Sequence, residues 1–248
     1  MELRLPSEKL QKLQLQLDHI LHKDKITLLQ LQSLLGSLNF ACRVVRPGRT
    51  FLRRLCDASS SVKLQHHKIR INKSMKDDLK MWKKFILSYN GVTVMPDMFW
   101  TDNESLELYT DSAGGKGRGF GIYIQGQWTH ELWPDSWLET PLIRNISFLE
   151  LLPVVVTLCW WGNSFANKKV IFHIDNQAVV TIINKKTFKD PNIMTLMRCL
   201  VLVTLEFNIL IKAEHIPTWV CKFNCWFNCS LPDADQLPIK LPPSIWQI

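Results

Sequence analysis

The sequence predicts a mixed α/β fold in which a five-stranded sheet is flanked by helices and preceded by a basic, all-helical segment. Three observations predict it. Apolar residues recur at helical spacing through the first ninety residues, and after Asn90-Gly91 short period-2 runs broken by glycine replace them. From Ile146 onward, apolar helical stretches alternate with two strand-like runs. Charge divides at the same place: residues 1–90 hold 18 Lys+Arg against 7 Asp+Glu, a net +11, while residues 91–248 hold 12 against 15, a net −3. The expected organisation is a basic helical segment at 1–90, a sheet-containing domain at 91–217 and an irregular tail at 218–248.

Each element has its own signal. Ser7 opens a helix carrying Leu10, Leu13, Leu15 and Leu17, and Thr27 opens a second with Leu28, Leu31, Leu34, Leu35 and Leu38, which Pro47-Gly48 ends. A third covers 50–58. A fourth, Lys73–Ser88, sets Met75, Leu79, Trp82, Phe85 and Ile86 against Lys76, Lys80, Lys83 and Lys84. Runs at 106–110, 119–125 and 127–132 read as a meander, Ile146–Trp161 as a buried helix and 170–174 as an apolar strand. Helices at 176–184 and 191–205 and a strand at 207–213 complete the order. Past Ala213 the text turns Pro-, Cys- and Trp-rich and loses periodicity.

Several classes are excluded. A hydrophobic fraction of 46% in 248 residues suffices for a sizeable core, against a wholly disordered chain. The longest apolar run, 149–161, is shorter than the roughly 20 residues a membrane helix needs, and it contains Glu150. Residues 1–21 lack the apolar core of a signal peptide. The expectation is therefore an intracellular protein, cytoplasmic or nuclear, neither secreted nor membrane-bound. Seven cysteines, an odd number, argue against a disulfide framework.

Three acids stand at the ends of predicted elements. Asp111 follows the first strand of the meander, Glu150 lies in the first turns of the buried helix, and Asp175 follows the apolar strand. An acid in an apolar helix is costly to bury unless paired or metal-bound. If the two strands are neighbours, Asp111 and Asp175 lie side by side at their carboxyl ends with Glu150 facing them. Such hard oxygen donors suit Mg²⁺ or Mn²⁺. Two such ions about 4 Å apart activate a water and stabilise the leaving oxygen of a phosphodiester. The alternative is that the aspartates cap strand ends and Glu150 is a satisfied helix acid.

The wording around these acids, Tyr-Thr-Asp-Ser-Ala-Gly, Ile-Ser-Phe-Leu-Glu-Leu-Leu-Pro and Phe-His-Ile-Asp-Asn-Gln-Ala-Val-Val, resembles the ribonuclease H region of reverse transcriptases from DIRS-like (tyrosine-recombinase) retrotransposons. Upstream, the stretch from Leu31 to Arg49 and the pair His66-His67 resemble the segment joining polymerase to ribonuclease H. The resemblance covers about residues 8–217. It implies a ribonuclease H-like fold behind a thumb- or connection-like segment, Mg²⁺ or Mn²⁺ on Asp111, Glu150 and Asp175, and a catalytic role for His215 in protonation or product release. It also implies cleavage of RNA in RNA–DNA hybrids, by a fragment of a reverse transcriptase polyprotein. No Tyr-x-Asp-Asp polymerase motif is present, so a polymerase part would be a separate partner.

The family carries a fourth acid ten residues beyond its His, and here that position is Cys225. Read one nucleotide later, codons for residues 219–226 permit Gly-x-Val-Asn-Leu-Ile-Ala-Gly, so a frameshifted or mis-spliced junction between Pro217 and Trp219 is expected. The resemblance then implies an incomplete two-ion site and impaired hydrolysis, or a catalytically inactive nucleic-acid-binding remnant. Two other readings of the stretch are a Cys₃His metal site from His215, Cys221, Cys225 and Cys229, whose spacing is not a usual zinc pattern, and Asp233 or Asp235 as substitute ligand.

A hybrid is sensed through 2′-hydroxyls across the minor groove and through phosphates. Lys116 and Arg118 in a glycine-rich loop, and Asn176 and Gln177 beside Asp175, are the candidate contacts in the second part. In the basic segment Arg43, Arg46, Arg49, Arg53, Arg54, Lys80, Lys83 and Lys84 are candidates for the phosphate backbone. A solvated helix face is the alternative for these.

Overall fold

Leucine rows build the first of two units into which the chain divides, Met1–Met95 and Pro96–Ile248. The computed structural model describes residues 4–88, 99–101, 108–217 and 235–236. In the first unit α1 (Ser7–Leu21) and α2 (Leu28–Ala41) bury Leu13, Leu17 and Ile20 and Leu31, Leu34 and Leu38. Thr27 starts α2 with a reciprocal cap: its hydroxyl accepts from Gln30 N, and the Gln30 side chain accepts from Thr27 N. A 3₁₀ turn (Arg46–Leu52) leads into α3 (Arg53–Ser60), and α4 (Lys73–Ser88) buries the predicted row Met75, Leu79, Trp82, Phe85 and Ile86. A Cβ on Gly48 would stand 2.6 Å from the Trp82 indole, so glycine lets the turn close onto that ring.

The first unit departs from the all-helical expectation in one respect. Lys25–Thr27 (β1) and Lys68–Arg70 (β2) pair antiparallel, with Ile26 opposite Ile69. Each strand has three residues, too few for a period-2 pattern to register in the sequence.

In the second unit β3 (Leu108–Ser112), β4 (Gly119–Ile124) and β5 (Gln127–Leu132) form the expected antiparallel meander. A short helix α5 (Asp135–Leu138) and a 3₁₀ turn (Pro141–Arg144) lead to α6 (Ile146–Trp161). Strand β6 (Lys169–Ile174), α7 (Gln177–Lys185), α8 (Pro191–Glu206) and β7 (Leu210–His215) follow, with β7 parallel to β6. Backbone ladders thus fall into the meander and the parallel pair, with β3 in contact with β6. A two-residue strand β8 (Asp235–Gln236) joins β5 in parallel. This mixed α/β order is compatible with a ribonuclease H-like fold.

Helices α6 and α8 run side by side in the same direction. At their starts Asn145 caps α6 and donates its amide to Asp190, which itself caps α8 by accepting from Asn192 N and Ile193 N. At their ends Gly162 meets Val203 and the Phe207 ring. The stretch Ile146–Phe165 is long and apolar enough to cross a membrane by length and composition, but Phe148 to Leu158 are buried in the core with Phe120, Ile122, Phe172 and Leu200. Cys42, Cys56, Cys159 and Cys199 are free thiols, and burial pushes Cys42 up to about 12 and Cys159 up to about 11.

Candidate functional site

The chain path decides where the three acids go. Asp111 lies at the carboxyl end of β3, and the loop that follows packs on the start of α6: a Cβ on Gly114 would meet Ile143 O at 2.8 Å and the Leu149 side chain at 3.2 Å. Glu150, in the second turn of α6, is therefore at the Asp111 end, and it is 9% exposed. Helix α6 carries the chain to the opposite end, and β6 returns it. Asp175 follows the last residue of β6 and so comes back to the end from which α6 started. His215, the last residue of β7, is opposite Ile174 in the parallel ladder and thus at this end too, exposed to solvent.

One end is shared, but not one coordination sphere. Among the described residues no group of three or more His, Cys, Asp or Glu side chains is placed to hold a metal ion. Asp111 Oδ1 accepts from Ser112 N at 2.9 Å. The donor set has the chemistry of a Mg²⁺ or Mn²⁺ site without its convergence, and as placed it does not fit one. The candidate cysteines 221, 225 and 229 lie outside the described residues, as does Asp233. Asp235 pairs with Gln127, whereas Asp111 aligns through Gly121 with His130, so the register sets Asp235 at the other end of the meander from Asp111.

The candidate nucleic-acid contacts fall into two groups. Lys116 and Arg118 are exposed on a loop pinned at both sides, Trp133 Nε1 donating to Ala113 O at 2.6 Å and Trp133 N to Arg118 O at 3.0 Å. Gln177 is exposed at the start of α7. Asn176, by contrast, spends its carboxamide oxygen on Ala178 N and Val179 N, capping α7.

In the first unit, Arg54 donates to Ser74 O at 3.1 Å and to Asp78 Oδ1 at 3.2 Å. Arg53 pairs with Asp57, Lys80 with Asp77 and Lys83 with Asp18. Lys84 is exposed, and it holds no carboxylate among the described residues.

Sequence reasoning missed one cluster. Register puts His173 opposite Glu214, with 4.0 Å between His173 Nε2 and Glu214 Oε2, and Lys212 Nζ is 2.6 Å from Glu214 Oε1. Burial lowers the His173 pKa despite the nearby carboxylate, and the Lys212 ammonium holds Glu214 below the usual carboxylate range. The alternation of β6 could have set His173 and Asp175 on one face, but only the pairing with β7 supplies Glu214.

No protein-family model matches the chain, and no curated protein does. Among solved structures the chain is similar to the foamy viral protease-reverse transcriptase in complex with RNA/DNA hybrid, at 16% identity and TM-score 0.27 over 96% of this chain and 29% of that one. It is also similar to the foamy viral protease-reverse transcriptase in complex with dsDNA, at 14% identity and TM-score 0.27 over 89% and 45%. The chain spans less than half the length of either.

Proposed function

We propose that the chain is the connection and ribonuclease H portion of a retroelement reverse transcriptase of the DIRS-like kind, and that its second unit acts on RNA–DNA hybrids. In this reading it is a ribonuclease H-type endonuclease weakened by the loss of the fourth carboxylate. The observation that supports it most is the return of β6 to the start of α6, which brings Asp111, Glu150 and Asp175 to one end of a mixed α/β unit in the motif context quoted above. Lys116, Arg118 and Gln177 stand exposed for phosphate and 2′-hydroxyl contacts.

A second reading, hybrid binding without cleavage, is favoured by two specific observations. The three acids are not gathered into a metal-holding group, and Cys225 occupies the position of the fourth. The discriminating experiment is a labelled-hybrid cleavage assay in Mg²⁺ or Mn²⁺, with hybrid binding measured in parallel, for the wild type and Asp175→Asn. Slow cleavage that Asp175→Asn abolishes, with binding retained, is the expected result. Binding without cleavage in both proteins selects the second reading. Cleavage indifferent to the substitution points to a contaminant and removes the enzyme claim, and a failure to bind hybrid removes both readings.

A further inference from the structure

Pairing of β1 with β2 gathers cations that lie far apart in the sequence. Lys25 is opposite Arg70 and Thr27 opposite Lys68, while Ile26 is opposite Ile69. Side chains alternate along a strand, so Lys25, Thr27, Lys68 and Arg70 share one face of this two-stranded ribbon and the isoleucines the other. Ile26 and Ile69 are buried, and the three cations are exposed. Both ends of the ribbon are tied: Leu28 N donates to His67 O at 3.0 Å and Ile71 N to Asp24 O at 2.8 Å. The cationic face is therefore fixed in place within the first unit.

Charge on this face is unbalanced. Among the described residues none of Lys25, Lys68 and Arg70 holds a carboxylate, and Asp24, next to Lys25, already accepts from Lys76 Nζ at 2.8 Å. Lys76 holds the Asp24 carboxyl below its usual range, with a smaller contribution from Arg70. The stretch 58–76, which contains β2, has five Lys+Arg and no Asp or Glu. Directly opposed side chains on paired strands have Cβ atoms about 5 Å apart, and like charges so placed repel. Lys25 against Arg70 is thus a local strain that a bound anion relieves.

We propose that this face of the β1–β2 ribbon grips the phosphate backbone of a nucleic-acid duplex. The inference rests on the nucleic-acid reading for the identity of the anion, and it adds a second contact surface, in the first unit and apart from the helix cations. The guanidinium of Arg70 offers a fork of donors to phosphate oxygens, and the two ammonium groups act as point charges beside it. Thr27 Oγ1 accepts from Gln30 N and keeps its own proton to donate. The face has no apolar side chain to bury in a membrane or against a peptide. Contacts of this kind position a duplex without reading its sequence.

The test is a salt titration of binding to the full chain, with two labelled RNA–DNA hybrids of unrelated sequence and a double-stranded DNA. The ribbon variant Lys25→Gln/Lys68→Gln/Arg70→Gln is compared with the wild type and with a charge-matched control, Lys9→Gln/Lys12→Gln/Lys185→Gln, at exposed positions elsewhere. The ribbon variant is expected to flatten the slope of log affinity against log salt by about 2.7 on both hybrids, three contacts' worth, and the control by less than about 0.5. Lys68→Gln alone, expected to flatten it by about 0.9, keeps the test open if the triple variant fails to fold. The same triple variant removes the ribbon's share from the slope, so that of the other cations in the first unit is read without it. Hybrid binding with an unchanged slope in the ribbon variant overturns the proposal and leaves the hybrid reading standing. Equal flattening by ribbon variant and control also overturns it, since net charge alone then acts. A ribbon-dependent slope on double-stranded DNA in a protein that binds neither hybrid supports the proposal and removes the hybrid reading instead. Failure to bind any of the three duplexes removes both. Vesicles of phosphatidylserine and phosphatidylcholine form the last arm: ribbon-dependent binding to them, with duplex binding indifferent to the ribbon, overturns the proposal in favour of a lipid surface.

Discussion

Arg54 shows what a residue's type leaves open until its neighbours are known. Its charge and helical position suit a phosphate contact, yet its guanidinium bridges α3 to α4 by bonding Ser74 O and Asp78, a carboxylate only 2% exposed. A charge that deep needs its partner, because removing one member leaves the other desolvated. Arg54→Ala is expected to destabilise the first unit by about 2 kcal/mol in denaturant unfolding, whereas Arg53→Ala, which frees the exposed Asp57, is expected to cost less than about 0.5 kcal/mol. Equal effects would place Arg54 on a solvated face. The acids behave differently: Asp111, Glu150 and Asp175 are legible because strand ends and an apolar helix make carboxylates conspicuous. Asn176 was legible as a polar residue beside Asp175, but not as the cap whose oxygen the helix already uses.

At the scale of elements, helices and the meander were readable because their periods run long enough to repeat, and α4 buries the very row its spacing marks. The three-residue β1 and β2 were not, and neither was the side-by-side course of α6 and α8, which depends on contacts 45 residues apart such as Asn145 with Asp190. Gly162 marks where that course is tightest. A methyl there would stand 2.7 Å from two Phe207 ring carbons, inside van der Waals contact, so the ring or the helix end must move. Gly162→Ala is expected to lower unfolding stability by about 1–3 kcal/mol. Adding Phe207→Ala should make the penalty of the methyl vanish within the double-mutant cycle, although the ring's own loss remains. A penalty that persists with the ring gone would mean that the glycine acts through the backbone and not through this contact.

For the whole chain, the division of charge found in the sequence holds as arithmetic but not as a count of available cations. Net charge sums pairs to zero wherever they lie, whereas a phosphate is met only by a cation whose neighbourhood leaves it exposed. Of the eight basic positions proposed for the backbone in the first unit, Arg53, Arg54, Lys80 and Lys83 already hold carboxylates. Each phosphate contact contributes about −0.9 to the slope of log affinity against log salt, so eight would contribute about −7 and four about −4. The two totals are far enough apart to be told from one another in a salt titration of hybrid binding. Single substitutions sharpen the assignment: Lys84→Ala is expected to flatten the slope by about one contact's worth, and Lys83→Ala to leave it unchanged, because Lys83 Nζ is 2.7 Å from Asp18 Oδ1. The reverse pattern would mean that the Asp18 pair opens on binding, and that the full basic face of the first unit engages the nucleic acid.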